Sequence, residues 1–200
     1  MDLFLSGVIG YLLGCLSPAA LIGKIKKINL KQVGTKNLGA TNVSLSVGAF
    51  FGVAVMLIDI AKSFSAYKLC AWVFPNTAAA GLLSAFFAVL GHIFPFYLKF
   101  NGGKGLAPFG GMVLAHSPEN FIILLILCLA LMFAVNYSFI FPFTAGLLFP
   151  VFSGLEGDIL VLAICVFAGG VLIYKHFGNF LKAIKGDDST IISYFTSKTE

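Results

Sequence analysis

The chain has 200 residues, of which 59% are hydrophobic and 10% charged, with a mean hydropathy of +0.99. Water-soluble domains carry roughly a quarter charged residues, so this composition excludes an ordinary soluble enzyme and leaves no room for a separate soluble catalytic domain. The net charge of +5 rests on 13 basic residues, all of them lysine, so no phosphate here is held by the planar two-pronged contact that arginine makes.

A spanning helix needs about 20 largely apolar residues. Apolar stretches near residues 2–23, 44–74, 78–98, 104–117, 119–135, 137–155 and 158–174 predict an all-α polytopic membrane protein of about seven transmembrane helices. The first residues, Met1-Asp2-Leu3-Phe4, lack the basic region of a cleavable leader, so the first stretch is expected to stay as a span. The fourth is the shortest, and the lysines decide whether it crosses. If it does, Lys24, Lys26, Lys27, Lys31, Lys36, Lys99, Lys104, Lys175, Lys182, Lys185 and Lys198 all fall on one side, and Asp2, Glu119, Glu156 and Asp158 on the other. A fourth segment that turned back would carry Lys175, Lys182 and Lys185 outside, against the positive-inside rule. The expectation is therefore an N-terminus outside and a cytoplasmic C-terminus. Tyr97, Tyr137 and Tyr174 at inner helix ends and Trp72 at an outer one suit the same frame. Residues 1–185 are then expected to form a single transmembrane domain, which would carry any catalytic site, followed by a short cytoplasmic tail over 186–200. Cys15, Cys70, Cys128 and Cys165 stand singly in apolar stretches and read as packing residues, without metal-ligand or redox spacing. With the lysines beside membrane segments rather than on a continuous basic surface, nucleic acid is not an expected partner, and an anionic small molecule or lipid headgroup is.

Polar, glycine-bearing loops on the inner side hold nearly all residues that look chemical. The first runs Val33-Gly34-Thr35-Lys36-Asn37-Leu38-Gly39-Ala40-Thr41-Asn42. Its glycines permit a tight fold that aims amides at one point, and Thr35, Asn37 and Asn42 add side-chain donors. Plain turn chemistry accounts for the same residues, with Asn42 as a cap of the second helix. The second loop, Phe100-Asn101-Gly102-Gly103-Lys104-Gly105, leads straight into a short helix. Successive glycine amides, a helix N-terminus and an embedded lysine suit a phosphate, although no nucleotide P-loop pattern is present. A flexible turn with a snorkelling Lys104 is the plainer reading. At the inner end of the last span lies Tyr174-Lys175-His176-Phe177-Gly178-Asn179-Phe180-Leu181-Lys182, where a helix would put His176 and Asn179 on one face. His92 and His116 read as interfacial polar groups, and the spacing of the histidines does not suggest a metal site. Asp59 and Lys62 share a helical face inside the second span, where pairing lowers the cost of burial; a scaffold role and a place on a substrate pathway are both open.

Taken in order, Gly14-Cys15-Leu16-Ser17-Pro18 with Gly23-Lys24, the stretch Gly34 to Asn42, Asp59-Ile60-Ala61-Lys62, Gly91-His92-Ile93-Phe94-Pro95, Gly102-Gly103-Lys104-Gly105 and His176-Phe177-Gly178-Asn179 resemble the bacterial membrane acyl-phosphate:glycerol-3-phosphate acyltransferase family. The resemblance covers residues 7–186. It implies transfer of a fatty acyl group from acyl phosphate to the sn-1 hydroxyl of glycerol 3-phosphate, giving lysophosphatidic acid in phospholipid synthesis at the bacterial inner membrane, with the site facing the cytoplasm and no cofactor. Residue by residue it implies catalytic roles for Lys104, His176 and Asn179. Substrate contacts are implied for Thr35, Lys36, Asn37, Asn42, Gly102, Gly103, Gly105 and Lys182. The partners are glycerol 3-phosphate, fatty acyl phosphate and membrane lipids. The His-x-x-x-x-Asp dyad of the other acyltransferase class is absent, because Tyr97, Phe121 and Leu181 follow the three histidines at that distance. The chain departs from the family in having Thr35-Lys36 where Ser-Gly is usual, and Leu45, Lys175, Phe177 and Lys182 where arginines are usual. A small anion or lipid transporter, or a catalytically silent family member, is the alternative reading.

Overall fold

The computed structural model describes residues 1–155 and 157–186. Glu156, Lys198 and all of the expected tail except Gly186 lie outside the described residues. Among those described there are nine α-helices and no strand, as the composition predicts. The chain divides into two compact units between Ser117 and Pro118.

The first unit contains α1 (Asp2–Cys15), α2 (Pro18–Ile25), α3 (Ala40–Ser46), α4 (Ala49–Val73), α5 (Ala80–Ile93), a 3-10 turn (Phe96–Leu98) and α6 (Leu106–His116). The single helix expected over 2–23 is broken, because Pro18 supplies no amide and forces the residue before it out of helical geometry. Ser17 then caps α2, its hydroxyl accepting from the Ala20 amide at 3.3 Å. The break leaves carbonyls without helical partners, and side chains from other helices take them: Tyr97 Oη donates to Cys15 O and Lys62 Nζ to Leu16 O, both at 2.8 Å.

Helices α1 and α5 run parallel in close contact. A Cβ on Gly10 would strike the Ser84 carbonyl, one on Gly14 the Ala88 carbonyl, and one on Gly91 the Tyr11 carbonyl. Backbones meet where side chains are missing, as membrane helices pack when lipid removes the hydrophobic drive. Helix α4 runs antiparallel to α5, with Ser63 Oγ donating to Ala85 O at 3.2 Å. Helix α6 returns along α4 in the same direction: Gly111 abuts the Ile60 carbonyl, and Lys68 Nζ reaches Ala115 O at 3.1 Å.

The second unit holds α7 (Pro118–Val135), α8 (Ile140–Gly154) and α9 (Ile159–Ile184). Asp158 caps α9 through the amides of Leu160 and Val161. Helices α8 and α9 are antiparallel and cross where Gly169 faces the Gly146 carbonyl. A ring cluster of Phe139, Phe143, Phe177 and Phe180, with centroids 5.3–5.6 Å apart, ties their far ends.

Among the described residues, five stretches are long and apolar enough to cross a membrane: Asp2–Ile25, Ala49–Val73, Ala80–Leu98, Pro118–Val135 and Ile159–Ile184. The other two predicted spans are shorter helices, Leu106–His116 and Ile140–Gly154. At about 1.5 Å per residue, α6 covers roughly half of a 30 Å hydrocarbon core. The four cysteines are buried and unbridged, in keeping with packing roles.

Candidate active site

The first loop folds around Asn42, and this revises the expectation that Asn42 meets substrate. Asn42 lies inside α3, fully buried. Its Nδ2 donates to Leu30 O at 2.7 Å and Asn37 O at 2.9 Å, while Oδ1 accepts from the Thr35 amide at 2.8 Å and from Ser46 Oγ at 3.4 Å. The carboxamide is thus committed to loop shape. Gly34 sits at φ +55°, and a Cβ there would run into Asn42 Oδ1, so both backbone and space require glycine. What the fold leaves at the surface are Thr35 and Lys36, with Asn37 half-buried. Beneath them Leu30, Leu38 and Val43 pack with Ala19 and Val55.

The second loop is also built differently from the expectation. The amides of Gly102 and Gly103 donate to Ile93 O at 2.9 Å and His92 O at 3.1 Å, so they pin the loop to the end of α5 rather than cradle an anion. Their lack of side chains matters for the same reason. A Cβ on Gly102 would strike the His92 carbonyl, and one on Gly103 would strike His92 Nε2 and lie 2.7 Å from the Leu38 carbonyl. The last contact brings loop two against loop one. Lys104 follows, half-buried, and Gly105 caps α6 at φ +91° with no side-chain cap. Because Pro108 has no amide, the donors of the first turn of α6 are those of Leu106 and Ala107.

Directly under this junction is a buried ionic cluster that sequence reasoning saw only in part. Asp59 and Lys62 pair at 2.7 Å, as their spacing predicts. His92, expected as an interfacial group, joins them: Lys62 Nζ lies 2.8 Å from its Nδ1, and Asp59 Oδ1 lies 3.2 Å away. All three side chains are at most 5% exposed. The available signal was that His92 lies about as far from the outer end of the third span as Asp59 and Lys62 do from that of the antiparallel second one. Beside loop one, a cleft of about 390 Å³ is lined by Gly23, Lys24, Lys27, Lys31, Leu38 and Leu98, among others. Among the described residues, no group of three His, Cys, Asp or Glu side chains is placed to hold a metal.

The third predicted stretch belongs to the second unit and lies wholly within α9, which runs on past the span expected to end at 174. His176 and Asn179 therefore do share a helical face. The His176 ring is buried and donates from Nδ1 to Leu172 O at 2.9 Å, which leaves Nε2 as the acceptor of the neutral ring. Lys182 is exposed one turn further on. Phe177, one of the family's arginine positions, stacks on Phe180 in the ring cluster.

A profile described as glycerol-3-phosphate acyltransferase matches residues 4–186. The chain is 32% identical over 191 residues to a glycerol-3-phosphate acyltransferase of Wolbachia sp. subsp. Brugia malayi, covering 93% of this chain and 97% of that one. It is 34% identical over 186 residues to glycerol-3-phosphate acyltransferase 2 of Bacillus cereus, covering 90% and 91%. Among solved structures it superposes on the integral membrane glycerol 3-phosphate acyltransferase PlsY in its glycerol 3-phosphate form, with a TM-score of 0.88, 28% identity and 96% of each chain covered. For the lysophosphatidic acid form of PlsY the TM-score is 0.86, at 27% identity and 97% coverage of each chain. With a profile match over nearly its whole length and full-length relatives above 30% identity, the chain belongs to the glycerol-3-phosphate acyltransferase family.

Proposed function

We propose that the protein transfers a fatty acyl group from acyl phosphate to the sn-1 hydroxyl of glycerol 3-phosphate. The observation that carries the reading is the junction of the two loops: Gly103, next to Lys104 and the start of α6, abuts the Leu38 carbonyl, next to Asn37, on a backbone locked by Asn42 and by the glycine contacts. The hydroxyl oxygen bonds to the acyl carbon, the bond from that carbon to the phosphate oxygen breaks, and the hydroxyl proton leaves with the departing phosphate. Such a donor is already activated, so positioning and charge stabilisation supply most of the catalysis. Lys104 and the α6 amides would bind phosphate oxygens, with Thr35, Lys36 and Asn37 contributing the remaining polar contacts. His176 and Asn179 would orient substrate, and Lys182 would add charge. Gly102, Gly103 and Gly105 serve by shaping the loop.

We place this chemistry at the cytoplasmic face of a bacterial inner membrane, in a chain of seven crossings with the N-terminus outside. The parallel course of α4 and α6 supports an outward path for α6, which reaches the level of Lys68 by Ala115. The test is phosphate release from acyl phosphate by purified protein, with and without glycerol 3-phosphate, and with acyl-coenzyme A and acyl carrier protein thioesters as competing donors. Release only with both substrates is expected, and Lys104→Ala should lower the rate about 10²–10³-fold, the scale for losing one preorganised charge-stabilising donor. Release independent of glycerol 3-phosphate, or transfer from a thioester alone, would refute the donor and acceptor assignment.

A further inference from the structure

We propose that Asp59, Lys62 and His92 form a positioning network for acyl transfer, fixing the end of α5 so that the glycine loop holds Lys104 and the start of α6 in register. The assignment rests on the reading of the loop junction given above and adds residues that touch no substrate.

The donor count of Lys62 is the starting point. An ammonium has three N–H groups, and in the tautomer whose Nδ1 accepts, Nζ has three acceptors: Asp59 Oδ1 at 2.7 Å, Leu16 O at 2.8 Å and His92 Nδ1 at 2.8 Å, with Asp59 Oδ1 also 3.2 Å from that Nδ1. With Nδ1 accepting, the neutral imidazole carries its proton on Nε2, the ring atom that lies against Gly103. The ring is therefore held from one side by the ion pair and presents its other nitrogen to the loop. Backbone contacts repeat the link, because the carbonyls of His92 and Ile93 receive the amides of Gly103 and Gly102. Lys62 also ties down Leu16, next to the break between α1 and α2. One side chain thus joins three helices at the level of the loop.

Stability alone does not call for charges here. A buried ion pair is often no better than apolar residues of similar volume, and its best-attested use is to fix geometry. In a membrane the case is stronger, since intramembrane charges are costly and are generally functional. Buried in a hydrocarbon-depth bundle and hydrogen-bonded in fixed directions, this trio restricts the last turn of α5 in a way that leucine or methionine cannot.

The experiment is hydrogen–deuterium exchange on the full chain in nanodiscs, run beside the acyl-transfer assay. In Asp59→Asn/Lys62→Met, which removes both charges together, exchange over residues 100–106 is expected to rise about tenfold while peptides of α7 keep the parent rate. In the same variant KM for glycerol 3-phosphate should rise more than kcat falls, with the melting temperature near that of the parent. A second pair separates geometry from folding and serves if the double variant does not fold. His92→Asn retains a polar atom near the Nδ1 position and should stay closer to the parent in both readouts than His92→Leu. Unchanged exchange over 100–106, or identical behaviour of the asparagine and leucine variants, would overturn the network whatever the enzymatic result. If the parent chain transfers no acyl group yet its loop exchange depends on the trio, the functional reading fails and the positioning role stands.

Discussion

At the scale of single residues, Asn42 shows how a side chain of active-site character can be consumed by architecture. Its carboxamide binds two carbonyls, one amide and one hydroxyl of its own neighbourhood. Asn42→Ala would leave these partners unmatched, each buried group costing about 1–3 kcal/mol. We expect a lower thermal midpoint in detergent together with a raised KM for glycerol 3-phosphate; a variant with parental melting and kinetics would show that the loop holds its shape without Asn42. The sequence made Asn42 visible as a polar residue in a glycine loop, but not which of its two possible audiences it served. That depends on whether the chain folds back over it, and the partner carbonyl of Leu30 lies 12 residues away. His92 is the converse case. It looked interfacial because its partners, Asp59 and Lys62, are about 30 residues distant and meet it only when α4 and α5 pack.

At the scale of helices, the glycines mark contact lines rather than weak points. Gly169 and Gly170 are adjacent in α9, yet a Cβ at Gly169 would collide with the Gly146 carbonyl and one at Gly170 would meet nothing within 4 Å. Gly169→Ala is therefore expected to lower the melting temperature, while Gly170→Ala is neutral or stabilising by up to about 1 kcal/mol through reduced backbone freedom. Equal effects of the two substitutions would contradict the α8–α9 crossing. Each of the seven apolar runs does hold a helix, whereas α3, lying across the end of the expected loop, was not legible as a helix of its own. Helix ends were less legible than the runs: the break at Leu16–Ser17 and the separation of α3 from α4 follow from Pro18 and from Gly48 at φ +137°, short-range signals masked by the continuous hydrophobicity around them.

At the scale of the whole molecule, the arrangement of lysines leads to a topological expectation. In a chain whose native cysteines stay buried, single cysteines replacing Lys26 and Lys185 should react with an impermeant reagent only from the cytoplasmic side, and one replacing Asn76 only from outside. Labelling of Lys185→Cys from outside would show that α6 turns back within the membrane. Composition and lysine distribution alone determined the membrane setting, the helical class and the positions of the loops worth suspecting, because apolar length and charge bias act locally along the chain. Only the tertiary structure decided which polar groups are spent on holding those loops. Hydrogen-bond partners such as Lys62 with Leu16 and with His92 are chosen by packing between elements distant in sequence, and no periodicity within a single segment encodes that choice.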